Sequence, residues 1–179
     1  MIKKLLMALS LLAILTVYGC SSAGHNNIQG NSVTGTGINR GDLAPDFSVN
    51  TINGKSVSLS ELSADKPTVV YFFATWCPNC ARDFAAVKDV YPRYSDKVNF
   101  LAVDMDQRES ESQITSYSQK LNIPGIEFAA AKRDVLANYN VVYTTTKYFI
   151  GKDGSILNKG VGGIDAATWE QIFQSMSQY

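Results

Sequence analysis

The stretch from Thr68 to Cys80 constrains this chain more than any other. Thr68-Val-Val-Tyr-Phe-Phe73 is an unbroken run of β-branched and aromatic residues, the pattern of a buried strand. Ala74-Thr-Trp76 ends it and Cys77-Pro-Asn-Cys80 follows at once. Phe84, Val87, Tyr91 and Tyr94 then recur on one face of a helix. A strand that runs straight into a helix puts Cys77 where the helix begins. There, unpaired backbone N–H groups and the positive end of the macrodipole favour a thiolate. Pro78 suits the first helical turn, having no N–H to leave unsatisfied and a φ that is already helical. The two-residue spacer sets Cys80 one turn further on, close enough to attack a mixed disulfide formed at Cys77. The pattern therefore predicts Cys77 as nucleophile and Cys80 as resolving thiol, with no metal and no cofactor. A closed zinc site would need four ligands, and the chain offers this pair plus the distant His25. A purely structural disulfide across so short a loop would contribute little.

Phe72-Phe-Ala-Thr-Trp76-Cys-Pro78-Asn-Cys80 resembles the active-site segment of the thioredoxin superfamily. More narrowly, the chain resembles the membrane-tethered, extracytoplasmic TlpA/ResA-like thiol–disulfide oxidoreductases from about Gly41 to its C-terminus. Gly41-Asp-Leu-Ala-Pro-Asp-Phe-Ser-Val49 is similar to the opening shared by TlpA-like proteins and peroxiredoxins. The resemblance implies an enzyme acting on protein thiols and disulfides and recharged by a membrane electron-carrier protein. A proline-then-polar spacer is similar to oxidising DsbA-type sites, whereas the surrounding architecture is similar to reducing ones; on that architecture the expectation is a reductant. The alternatives are a disulfide-forming oxidant of the same fold and a non-catalytic module that binds a partner or a metal. A peroxidase needs Pro-x-x-x-Thr-x-x-Cys, and Val70 and Ala74 occupy those places.

Two positions are singled out by the same resemblance. Asp83 follows Cys80 by three residues and so shares its helical face. TlpA/ResA-like proteins often carry an acid there, and the implied role is proton exchange with the Cys80 thiol; the alternative is a solvated helix acid. Ordinary thioredoxins bury an aspartate six residues before the first cysteine, where this chain has Tyr71. The family also faces its cysteines with a cis-proline preceded by Thr or a similar residue. Here Thr144 precedes Thr145, which stands in the proline's place. A cis bond without proline costs about 3–4 kcal/mol, so a trans Thr144–Thr145 peptide and an altered loop are expected.

Residues 1–19 read as a lipoprotein signal peptide. Lys3 and Lys4 precede an apolar run from Leu5 to Val17 that is short for a bilayer span. Val17-Tyr-Gly-Cys20 resembles a lipobox, which makes Cys20 the expected lipidation site and places the protein on the outer face of a membrane, in the cell envelope or periplasm. Three cysteines then divide into one anchor and one pair. Residues 20–40, rich in Ser, Gly, Asn and Thr, read as a flexible tether with a span of about 25 Å. A formal charge of zero offers no basic surface for nucleic acid.

Residues 41–179 are expected to form one domain. Phe47–Thr51 and Lys55–Leu59 flank Asn53-Gly54, a strong hairpin turn, and Ser60–Ser63 makes a short turn or helix. Pro92 should end or kink the Cys77–Cys80 helix near Tyr91. Strands are expected at 98–103, 126–130, 147–150 and 155–158, and helices at 110–121, 133–139 and 166–176. Alternating strands and helices that close in a hairpin give an α/β fold. By resemblance it is a thioredoxin-like three-layer sandwich, a mixed central sheet with flanking helices and an N-terminal β-hairpin.

Overall fold

A computed structural model describes residues 35–179. The leader, Cys20, His25 and most of the tether lie outside the described residues. Among the described residues seven strands and five α-helices follow in order: β1 (Ser48–Asn50), β2 (Ser56–Ser58), α1 (Leu59–Asp65), β3 (Thr68–Phe73), α2 (Pro78–Val90), β4 (Asn99–Asp104), α3 (Glu111–Leu121), β5 (Ile126–Ala130), α4 (Arg133–Asn138), β6 (Thr146–Ile150), β7 (Ile156–Gly160) and α5 (Ala166–Met176). The main sheet runs β5-β4-β3-β6-β7; β3, β4 and β5 are parallel, and β6 and β7 are antiparallel additions.

β3 is the central strand, and all six of its residues are buried because both faces of the sheet are covered. Successive side chains alternate between two cores. Val69, Tyr71 and Phe73 meet Phe84 and Val87 of α2, Ile114 of α3, and Trp169 and Phe173 of α5. Val70 and Phe72 meet Leu59 of α1, Val135 of α4 and Tyr139. Three layers result, with the expected mixed sheet in the middle.

The N-terminal hairpin forms a separate two-stranded sheet, three residues to a strand. The Thr51–Ala129 bridge and the Ile52 N–H bond to the Phe128 carbonyl (2.8 Å) attach it to the edge of β5. At the opposite edge, Gly41 and Asp42 exchange backbone bonds with Ile156. Both flanks of the sheet are thereby partly covered against further strand pairing. Residues 35–40 take part in this packing, although their composition reads as tether. Gly37 N–H bonds the Leu43 carbonyl at 2.9 Å, and Ile38 packs against the second core.

Local signals explain the element ends. Ser58 caps α1 in a capping box with Glu61, so the helix starts before the expected Ser60. Ser110 and Gln113 do the same for α3. α2 stops at Val90 and gives way to a 3-10 turn over Tyr91–Arg93, where Pro92 cannot supply the next helical N–H.

Candidate functional site

Because β3 is central and parallel to β4, its C-terminal end opens on one edge of the sandwich, and α2 starts there. Cys77 is the N-cap of α2, extended at φ −77° and ψ 113°, with Pro78 in the first turn. Its Sγ accepts a hydrogen bond from the Cys80 backbone N–H at 3.1 Å, taking the place of the oxygen of an ordinary capping side chain. Cys77 and Cys80 are joined by a disulfide with their Cα atoms 5.3 Å apart. Cys77 keeps 3% of its surface exposed and Cys80 none, so an incoming group meets the first sulfur and not the second.

The loop before β6 faces the pair, as the resemblance implied. Thr144 donates its hydroxyl to Cys77 Sγ at 3.3 Å. The Thr144–Thr145 peptide is trans, since no peptide among the described residues is cis. Thr145 instead adopts φ +66°, the left-handed region, which is an outlier for a β-branched residue. Its surroundings fix it there. The Thr145 N–H donates to the Phe72 carbonyl at 2.9 Å, and its Oγ1 accepts from the Gly162 N–H at 2.9 Å while donating to the Thr144 carbonyl. A proline at 145 could neither reach this φ nor supply that N–H.

The turn into the motif is latched from the far side. Glu109 accepts from both the N–H (2.9 Å) and the hydroxyl of Thr75, and Asp106 accepts from Trp76 Nε1 at 2.8 Å. Hydrogen bonds from Arg108 and Trp76 hold the Asp106 carboxyl well below the usual carboxylate range. Asp104, at the end of β4, is buried, and its Oδ1 accepts from the Asp106 N–H at 2.7 Å. Burial first, and then its hydrogen bond with Glu109, push the Asp104 carboxyl up to about 8. Burial opposes the charge on Glu109, yet bonds with Asp104 and Thr75 hold its carboxyl below the ordinary value. Burial thus favours the protonated form of Asp104, while Glu109 stays ionised and holds Thr75.

Asp83 is not a solvated acid. It lies buried one turn after Cys80, and its Oδ2 accepts from the Tyr71 hydroxyl at 2.8 Å and from Lys147 Nζ at 3.3 Å. Its Oδ1 accepts from the Ile164 N–H at 2.6 Å. Tyr71, on the central strand, thus holds the carboxylate that α2 lowers towards the sheet. Burial, reinforced by Asp83, pushes the Tyr71 phenol far above its usual range, so it stays a neutral donor. Sequence reasoning missed two groups, Lys147 and Glu109. The signal for Lys147 was a lysine inside an otherwise apolar strand, which demands a buried counter-charge. Glu109 carried no signal, being 34 residues from its partner Thr75.

Large apolar side chains stand exposed next to these residues in the chain: Trp76 beside Cys77, Val142 and Tyr143 before Thr144, and Val161 before Gly162. They give the segments that hold the sulfurs an accessible apolar rim. Among the described residues no cluster of His, Cys, Asp and Glu could hold a metal ion.

Residues 40–159 match the AhpC/TSA family. Thioredoxin-like protein YneN of Bacillus subtilis (strain 168) is 31% identical over 172 residues, 96% of this chain and 97% of that protein. A thiol-disulfide oxidoreductase ResA of Bacillus cereus is 27% identical over 160 residues, covering 89% of this chain and 88% of that one. Among solved structures, a thiol:disulfide interchange protein of the thioredoxin family from Chlorobium tepidum TLS superposes with a TM-score of 0.67 at 23% identity, over 75% of this chain and 94% of that one. The chain belongs to the AhpC/TSA family and is a thiol-disulfide oxidoreductase of thioredoxin-like fold, with a close Cys77–Cys80 pair.

Proposed function

We propose that Cys77 and Cys80 perform a two-electron exchange with protein disulfides outside the cytoplasm, and that the chain acts as the reductant. The observation that carries this reading is the seat of Cys77 at the N-cap of α2, where its sulfur takes the Cys80 N–H. The same bond and the helix dipole stabilise a thiolate once the disulfide is reduced. The Cys77 thiolate attacks one sulfur of the substrate disulfide, forms a mixed disulfide and expels the other sulfur as thiolate. Cys80 then loses its proton and attacks Cys77 Sγ, which breaks the mixed disulfide. The substrate leaves with two electrons and both thiols, and the enzyme is left with the Cys77–Cys80 disulfide. Thr144 contacts Cys77 Sγ from the loop before β6, and the rim of Trp76, Val142, Tyr143 and Val161 suits an extended, partly apolar polypeptide.

A membrane electron-carrier protein would restore the dithiol. Cys20, lipidated after removal of residues 1–19, would tether the domain at residues 41–179 to the outer face of a membrane. Among the described residues no helix is long and apolar enough to cross a membrane. The direct test is reduction of insulin disulfides by wild type and by Cys77→Ser. Wild-type turnover that disappears in the variant supports the reading. Inactivity of both proteins against insulin, together with peroxide or metal binding by the dithiol, overturns it.

A further inference from the structure

The face of the sheet beneath α2 carries a second arrangement that the cysteine chemistry alone does not require. Tyr71 and Lys147 are direct partners across β3 and β6, so their side chains rise on the same face. α2 lies over that face and lowers Asp83 between them. Lys147 and Asp83 are each 1% exposed and 3.3 Å apart. Lys147 Nζ also donates to the Gly162 carbonyl and lies 5.2 Å from the Tyr71 ring centre and 5.8 Å from that of Trp169. A lysine costs a great deal to place there, and this one is satisfied on every side.

We propose that Lys147 is a positioning residue for the resolving step: by neutralising Asp83 it lets the buried Cys80 thiol ionise. The inference rests on the dithiol cycle proposed above. In that step Cys80 S–H gives up its proton, the thiolate attacks Cys77 Sγ, and the departing substrate sulfur ends as a thiol.

The effect is electrostatic. Side chains three apart on a helix have Cβ atoms about 5–6 Å from each other. At that separation and an effective dielectric constant of about 20, an uncompensated Asp83 carboxylate would raise the Cys80 titration by about two pH units. Three donors hold Asp83 in place, and only one of them carries charge: Tyr71 supplies a neutral hydroxyl and Ile164 a backbone N–H. Cancellation of the negative charge therefore falls to Lys147. Burial draws the Lys147 ammonium downward, while its contact with the Asp83 carboxylate draws it back up. The other groups packed on this face are Cys77 on α2 itself, Trp169 of α5, and Tyr117 of α3, whose phenol is pushed up to about 12 by burial and is neutral through the relevant range. None of these supplies a compensating cation.

The test uses the reduced full chain in a Cys77→Ala background, with Cys80 followed by pH-dependent alkylation resolved by peptide mass. Adding Lys147→Met should move the Cys80 titration up by about one to two pH units, and adding Asp83→Asn to that variant should bring it back. A fold that rejects methionine is covered by Lys147→Gln, which keeps a donor but removes the charge and should give the same upward shift. Lys147→Arg should restore the parent titration wherever it folds. An unchanged titration in either neutral variant, or a shift that persists when Asp83 is also neutral, overturns the proposal. The readout needs no turnover. Insulin reduction by wild type with an unmoved Cys80 titration would thus sink this inference and leave the dithiol reading standing.

Discussion

At an ordinary position glycine is less stable than alanine by about 0.4–1 kcal/mol, because its unfolded chain is freer. Thr145 should invert that order. Its φ of +66° costs a residue with a Cβ about 1–2 kcal/mol, a penalty glycine does not carry. The threonine tolerates this because its hydroxyl accepts from the Gly162 N–H and donates to the Thr144 carbonyl. Thr145→Ala removes both bonds and keeps the strain. Stranding the Gly162 N–H then costs about 1–3 kcal/mol. Thr145→Gly loses the same bonds but sheds the strain, so it should exceed the alanine variant by about 0.5–1 kcal/mol. Thr145→Pro forces φ to about −65° and orphans the Phe72 carbonyl, so it should be the least stable of the three by a further ~1–3 kcal/mol. Urea unfolding of the oxidised proteins, analysed at constant m, gives the ranking. Alanine above glycine would refute the left-handed assignment and with it the account of how this loop dispenses with proline.

The Thr75 latch and the aromatic core make two further outcomes measurable. Asp104 has a folded-state carboxyl raised to about 8, so its stabilising effect is complete below its unfolded value near 4 and is lost as pH climbs through about 8. Unfolding of the oxidised protein should therefore become easier across that interval, and Asp104→Asn, which stays neutral, should flatten the profile; an equally steep profile in the variant would contradict the raised Asp104 carboxyl. Phe84 packs against Tyr71, Phe73, Phe100, Tyr117 and Phe128 beneath the motif, and Phe84→Ala should cost about 3–5 kcal/mol by chemical denaturation. A loss below ~1 kcal/mol would mean that this cluster does not anchor α2.

Much of the scaffold could be read from the residues because local and global preferences agree. β3 and β5 fall on the expected residues, and Trp169, Phe173 and Met176 turn inward from α5 as their spacing predicts. Cys77 at a helix start was legible for the same reason: strand, motif and helix are contiguous. The Lys147–Asp83–Tyr71 cluster was not, because it depends on which residue of β6 lies opposite which residue of β3, a register that sequence pattern leaves open. Residues 35–40 misled in the other direction. Their polar, glycine-rich composition has no apolar period, yet their backbone groups find partners around Leu43. Thr145 lay between these cases: the missing proline predicted a trans bond, but the compensating left-handed turn depends on Gly162, 17 residues away.

The central claim is that the Cys80 N–H and the α2 N-terminus hold the Cys77 sulfur ionised in the reduced protein. It is tested most directly by titrating Cys77 with iodoacetamide in the full chain carrying Cys80→Ser, reading the Cys77 peptide alone by mass. The account predicts half-maximal reactivity at or below about pH 7.5. A midpoint near 8.5, that of an unperturbed thiol, would contradict it.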